Sequence, residues 1–181
     1  MKEKSIFSFG EYTDGIAYKV LDERRMRASG GIMLLLGAIG FVNGFVLEHY
    51  IVLPFISGFL MLNFLIGIFV NPKYSPTMAF ASIAIGKQKP LYVGAIQKKF
   101  AWSLGLAMST ATFVLSIFLL HDASLLTAVC ILCSTCLAVI YLEVSFGICL
   151  GCKIYFYLIK IKLLKEPEVR PNCNGDSCAI D

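Results

Sequence analysis

The chain has 181 residues, of which 57% are hydrophobic and only 15% are charged, and its mean hydropathy is +0.76. Soluble domains are about 45–50% apolar and about 25% charged, so this composition excludes an ordinary water-facing globule and predicts an integral membrane protein. The formal net charge of +4 does not indicate nucleic-acid binding, because the basic residues stand beside apolar runs without forming an extended patch with interleaved aromatics.

Four apolar segments are long enough to cross a bilayer, which takes about 20 residues of helix. In chain order we expect spans at roughly 29–47, 51–70, 100–120 and 123–142. The last stretch stays apolar to about residue 164, with only Glu143 and Lys153 interrupting it. We predict that the fourth span continues as a helix into the interface. The alternative is a tilted span, shifted towards the C-terminus, that holds Glu143 within the membrane.

The connection between the second and third spans, residues 71–99, is the only long loop. Its first half, Pro76–Ile85, is apolar enough to form a short helix in the interface, and Lys87 and Lys89 follow it. Lysines beside an interfacial helix favour anionic lipid headgroups. We therefore predict an interfacial segment here, with a membrane-hugging linker as the simpler alternative.

The basic residues are sorted completely along the chain. All sixteen Lys and Arg lie before the first span, between the second and third, or after the fourth. The loops near residues 48–50 and 121–122 contain none, and we assign no role to the histidine in each. By the positive-inside rule both termini are cytoplasmic.

These observations predict an all-α integral membrane four-helix bundle with cytoplasmic N and C termini. Residues 1–28 would form a cytoplasmic N-terminal segment, 29–164 the four-span membrane domain, and 165–181 a flexible cytoplasmic tail.

A Cys-x-x-Cys pair, Cys149 and Cys152, lies within "SFGICLGCKIYFYL" (145–158). Residues three apart share a helix face, so both thiols can meet one partner. A helix N-terminus or a nearby cation such as Lys153 favours a thiolate, and the cytoplasmic face keeps thiols largely reduced. One interpretation is a reactive dithiol that exchanges electrons or carries sulfur. The other is helix packing, in which Gly147 and Gly151 form a Gly-x-x-x-Gly step and the cysteines are small fillers.

Glu143 is the second candidate, because a carboxylate at the inner end of a span is costly unless it is paired, protonated or hydrated. It can act as a proton acceptor, or it can pair with Lys98, Lys99 or an N-terminal arginine as a topological anchor. On a regular helix Cys149 and Cys152 would point largely away from the face that holds Glu143.

The remaining cysteines have weaker signals. Cys130, Cys133 and Cys136 form a loose helical stripe, which we interpret as packing, with a copper(I) or sulfur path as the minority alternative. Cys173 and Cys178 in the polar tail would complete a spacing like that of a tetrathiolate zinc site, or serve as a flexible resolving dithiol. We expect no metal and no cofactor.

The segment "YLEVSFGICLGCKIY" (141–155) resembles the signature of a bacterial membrane family, domain of unknown function 4395: a Glu, then Phe-Gly-x-Cys-x-Gly-Cys, then an aromatic residue. "NPKYSP" (71–76) and "VGAIQKKFAWSLGL" (93–106) resemble its loop and the entry to its third span, so the resemblance covers roughly residues 22–158. It implies the fold of that family but no activity. It also implies that these residues belong to the shared pattern: Glu143, Phe146, Gly147, Cys149, Gly151, Cys152 and Tyr155.

Together these features lead us to expect a bacterial inner-membrane protein that handles thiols or sulfur species at the cytoplasmic face. Cys149 and Cys152 would be the reactive pair and Glu143 a proton partner. Expected partners are the lipid bilayer, a thioredoxin-like or sulfur-carrier protein and a second copy of the chain, with no nucleic acid. A non-catalytic scaffold is one alternative. The other is a transporter component for a small sulfur-containing or soft-metal solute, whose polar midplane groups would be Asn43, Asn63, Ser109 and Thr112.

Overall fold

The computed structural model describes residues 8–13, 18–86 and 88–165. Within these ranges four helices are long and apolar enough to cross a membrane. Their bounds are Glu23–Val46, Val52–Phe69, Ala95–Leu119 and Ala123–Phe146. The protein is therefore an all-α, multi-pass membrane bundle, as its hydropathy predicts.

The described part of the chain contains six α-helices. The first α-helix continues into one π-helical turn, Val42–Val46. A short 3-10 turn, Ala123–Leu125, precedes the fifth α-helix. The helices are α1 (Glu23–Phe41), α2 (Val52–Phe69), α3 (Pro76–Ile85), α4 (Ala95–Leu119), α5 (Leu126–Phe146) and α6 (Leu150–Lys160).

Two apolar clusters mark the two ends of the bundle. At the end with the short loops, Leu53, Leu119 and Val129 pack together. At the other end Trp102 packs edge-on against Phe64, with ring centroids 5.4 Å apart. Along the bundle α2 lies against α4, and α1 lies against both α3 and α5. The second end is the one that the distribution of basic residues predicts to be cytoplasmic.

A small antiparallel sheet, which the sequence did not indicate, fixes the arrangement of this second end. β1 (Val20–Asp22) pairs with β2 (Tyr92–Gly94) in the register Val20 to Gly94. Each strand leads directly into a helix, α1 or α4. Because the strands are antiparallel, α1 and α4 leave opposite ends of this short ladder, and the sheet ties the starts of the two helices to each other.

The predicted short helix in the long loop is confirmed as α3, and its interfacial position remains a prediction. A polar junction attaches it to the bundle. Asn63 Oδ1 accepts hydrogen bonds from the backbone N–H of Thr77 at 3.0 Å and from its hydroxyl at 2.9 Å. The Thr77 and Ser29 hydroxyl oxygens are 2.7 Å apart. Asn63 thus has a structural role between α2 and α3.

The predicted continuation of the fourth span as one helix is wrong. α5 ends at Phe146, and Gly147 adopts a left-handed conformation with φ +70° before α6 begins at Leu150. Glycine reaches this region without the steric penalty of a side chain. A Cβ atom at this position would also overlap the Arg27 guanidinium group. Residues 147–149 therefore turn the chain, and Glu143 lies within the last turns of the span, as in the alternative.

Candidate functional site

The candidate site lies where α1 and α4 begin, α5 ends and α6 begins. Each of these helix ends contributes at least one ionisable side chain. The group consists of Glu23, Lys98, Glu143, Cys149 and Cys152. The three predicted site residues, Glu143, Cys149 and Cys152, all belong to it. Lys98 was one of the partners suggested for Glu143, and Glu23 is an addition.

The two thiols are in direct contact, with their sulfur atoms 2.7 Å apart. Cys149 is the N-cap residue of α6, and its Sγ accepts a hydrogen bond from the backbone N–H of Cys152 at 3.4 Å. Cys149 is 6% exposed and Cys152 only 1%. The pair is thus folded around the start of a helix, whereas a shared face within a continuous helix was predicted.

Packing of α6 against α4 holds the pair in place. Gly151 faces Ala101 so closely that a Cβ atom on the glycine would lie 2.6 Å from the alanine Cβ. One turn later Tyr155 packs against Phe100, with ring centroids 5.6 Å apart. Burial raises the pKa of the Tyr155 phenol. The Gly-x-x-x-Gly packing interpretation is correct for Gly151 only, because Gly147 lies in the turn.

A buried ammonium group links the helix ends. Lys98 Nζ lies 3.0 Å from Glu23 Oε2 and 2.8 Å from Glu143 Oε1. Arg27 Nε also lies 3.5 Å from Glu23 Oε1. The Lys98 side chain is only 4% exposed, so its charge is compensated by carboxylates from two different helices. Of the three basic partners suggested for Glu143, the structure pairs it with Lys98.

The same ammonium group acts on the dithiol. Lys98 interacts electrostatically with both Cys149 and Cys152, whereas the side chain of Lys153 is exposed. Lys98 is therefore a second cation near the pair, and the contribution expected from Lys153 stays a prediction. We expected the two thiols to point away from Glu143 on the condition that one regular helix runs from Glu143 to Cys152. The turn at 147–149 removes that condition and brings the thiols back to the Lys98 side.

A partly open cavity of about 270 Å³ lies between the four spans and reaches this site. Apolar side chains and glycines of α1, α2, α4 and α5 form most of its wall. Glu143 and Cys149 line it at the site end, and Cys133 and Cys136 line it farther along α5. Two of the three cysteines in the stripe of α5 therefore border an open space.

The predicted polar midplane groups are mostly satisfied within their own helices. Ser109 and Thr112 line the cavity, but their hydroxyls donate to the carbonyls of Leu106 and Met108. Asn43 donates to the carbonyl of Ile39 at 2.8 Å. These groups do not form a continuous polar path across the described part of the bundle.

No group of three or more His, Cys, Asp or Glu side chains within the described ranges is arranged to hold a metal ion. Cys173 and Cys178, the other half of the suggested tetrathiolate spacing, lie outside the described residues. Of the functional residues, the sequence analysis missed Glu23. The available signal was its position after Asp22, a typical helix N-cap residue, at the entry to the first apolar run.

Comparison with known proteins gives one family. The family model described as "Domain of unknown function (DUF4395)" matches residues 21–160, which include every residue of the candidate site. No curated protein matches the chain, and no solved structure matches it.

Proposed function

Because this chain belongs to the DUF4395 family, whose description assigns no activity, we propose a function from the chemistry of its site. The protein handles thiols or sulfur species by reversible oxidation of Cys149 and Cys152 to a disulfide. It does so in the bacterial inner membrane, at the cytoplasmic face.

The contact between the two sulfur atoms at the start of α6 carries this proposal. A disulfide needs its sulfurs about 2.0 Å apart, so a small shift of two side chains is sufficient to close the bond. A helix N-terminus and a nearby lysine are both features that stabilise thiolate, the reactive form of cysteine. The start of α6 supplies the first of these features at Cys149.

The reaction follows ordinary thiol–disulfide exchange. The Cys149 thiolate attacks one sulfur of a partner disulfide, forms a mixed disulfide and releases the other partner sulfur as a thiolate. Cys152 then loses its proton and attacks Cys149 Sγ, which releases the second partner sulfur and closes the internal disulfide. The partner is thereby reduced and the membrane protein oxidised. The same steps in reverse return the electrons.

Different exposure assigns the two cysteines different roles. Cys149 lines the cavity, while Cys152 is almost fully buried against α4. Cys149 is therefore the sulfur that meets the partner, and Cys152 is the resolving thiol. Glu143 is the proton acceptor, because its side chain is 27% exposed and lines the same space. A thioredoxin-like or sulfur-carrier protein is the expected partner.

A redox titration of the full-length protein in lipid nanodiscs tests the dithiol cycle. Samples equilibrated in glutathione buffers are quenched, alkylated under denaturing conditions and analysed by mass spectrometry. We expect one two-electron transition on the peptide that contains Cys149 and Cys152. Cys149→Ser and Cys152→Ser should each abolish it, while Cys130→Ser should not. A pair that stays reduced across the whole range would refute the proposal.

A separate labelling experiment tests the orientation. His49 and Lys153 are both exposed and belong to opposite ends of the bundle. We expect an impermeant maleimide to label Lys153→Cys in inside-out vesicles and His49→Cys in intact spheroplasts. Both variants carry Cys173→Ser and Cys178→Ser, because these thiols belong to the tail that we predict to be cytoplasmic, and the buried native pair contributes little background. The reverse pattern would place the dithiol outside the cytoplasm.

A further inference from the structure

We propose that the cavity between the four spans binds a membrane quinone, which exchanges two electrons and two protons with Cys149 and Cys152. This inference rests on the dithiol cycle proposed above. It adds the identity of the lipid-side electron partner.

The dimensions of the cavity fit a long, thin apolar ligand. Its lining on α1 extends from Met26 to Phe41, a distance of about 22 Å at the helical rise of 1.5 Å per residue. On α5 it extends from Cys133 to Glu143, or about 15 Å. The volume of about 270 Å³ is close to the lower limit of small-molecule sites, about 300 Å³. Since the walls are membrane spans, a ligand dissolved in lipid can reach this space without crossing water.

The charge at the site end selects a neutral head group. Among the described lining residues Glu143 is the only charged one. Its cation, Lys98, is already shared with Glu23, so a phospholipid phosphate or fatty-acid carboxylate would find no cation among the described lining residues to compensate its charge. A quinone ring is neutral, flat and capped by carbonyl oxygens that accept hydrogen bonds. A neutral redox ring with an apolar tail therefore fits both parts of the cavity.

The chemistry balances with these residues alone. Cys149 sulfur adds to a ring carbon of the quinone and its proton goes to one carbonyl oxygen. Cys152 sulfur then attacks Cys149 Sγ, the sulfur–carbon bond breaks, and its electron pair passes into the ring. The proton of Cys152, carried by Glu143, reaches the second oxygen. Two thiols and one quinone thus become one disulfide and one quinol.

The test uses the reduced full-length protein in anaerobic nanodiscs with decylubiquinone as the probe. Quinol formation is followed by absorbance, and the disulfide by mass spectrometry. Leu137→Trp fills the cavity, whereas Ala138→Trp places the same side chain at an exposed position of the same helix. We expect one quinol per disulfide in the wild type, and a rate lowered by about tenfold, equivalent to roughly 1.4 kcal/mol, in Leu137→Trp only.

The water-soluble oxidant diamide separates the two proposals. If diamide closes the Cys149–Cys152 disulfide while decylubiquinone does not, the quinone inference is wrong and the dithiol cycle stands. If neither oxidant closes it, both proposals fail. Equal quinone rates for Leu137→Trp and Ala138→Trp would exclude this cavity as the quinone site. Diamide should oxidise the wild type and both tryptophan variants at similar rates.

Discussion

Replacement of Lys98 by methionine should destabilise the protein strongly, because it leaves two carboxylates without their shared cation. Lys98 Nζ lies 3.0 Å from a Glu23 oxygen and 2.8 Å from a Glu143 oxygen. Methionine keeps much of the side-chain volume and removes the charge. The perturbation is therefore electrostatic, with little change in packing.

The magnitude follows from how deeply each carboxylate is buried. Removing one partner of a buried ion pair costs about 3–5 kcal/mol. The Glu23 side chain is only 7% exposed, but Arg27 also lies near it at 3.5 Å, and Glu143 is 27% exposed. Water and Arg27 compensate part of the lost attraction, so we expect the lower limit, about 3 kcal/mol.

The assay is the free energy of unfolding in mixed micelles, obtained by linear extrapolation from a denaturant titration. The neighbouring Lys99→Met is the matched control, because Lys99 is exposed and its loss should cost no more than about 0.5 kcal/mol. Adding Glu23→Gln to Lys98→Met should recover part of the loss, since one uncompensated charge is then removed. A Lys98→Met protein as stable as Lys99→Met would refute the reasoning. So would a double variant that is less stable than Lys98→Met alone.

Three further predictions concern the supports of the site and the opposite end of the bundle. Gly147→Ala should cost roughly 1–2 kcal/mol for its left-handed backbone plus the clash with Arg27. In an Arg27→Ala background Gly147→Ala should cost the backbone part only; equal losses in the two backgrounds in thermal-unfolding assays would exclude a role for the clash. Asn63→Leu should cost about 1–3 kcal/mol, because it leaves the buried backbone N–H of Thr77 without an acceptor; unchanged hydrogen exchange in α3 would contradict this. The Asp122 carboxylate accepts hydrogen bonds from Ser124, which lower its pKa. A titration followed by carbon NMR should therefore give a pKa below the ordinary value for this carboxyl. A carboxyl whose pKa is lower in the folded state than in the unfolded state stabilises the fold at pH values above its unfolded-state pKa. This stabilisation is lost as the pH falls through the folded-state pKa, so acidification should loosen this loop.

Hydropathy predicts the spans of this protein well because lipid imposes a strict length and polarity on each of them. The second span was predicted at 51–70, and α2 is Val52–Phe69. The short helix Pro76–Ile85 was predicted with the observed bounds. In both cases proline or polar residues flank an apolar run, and the local sequence is sufficient.

The site was only partly predictable, because its geometry depends on contacts between distant segments. β1 and β2 are three residues each and about seventy residues apart, so no periodicity marks them. Three basic partners were proposed for Glu143, and the choice of Lys98 depended on the pairing of β1 with β2, which ties the start of α4 to the start of α1. The turn at Gly147 did have a signal, since glycine commonly follows the last turn of a helix. The apolar residues on both sides of it obscured that signal.

The capping bond of Cys149 separates the chemistry of this residue from its structural role. A hydroxyl at position 149 can still accept the Cys152 N–H, so serine preserves the beginning of α6 while ending sulfur chemistry. Alanine at position 149 preserves neither the hydrogen-bond acceptor nor the sulfur chemistry, and loss of an N-cap acceptor costs about 0.5–2 kcal/mol. An alanine phenotype at this position therefore mixes helix fraying with lost reactivity. Only the serine variant isolates the electron-transfer step.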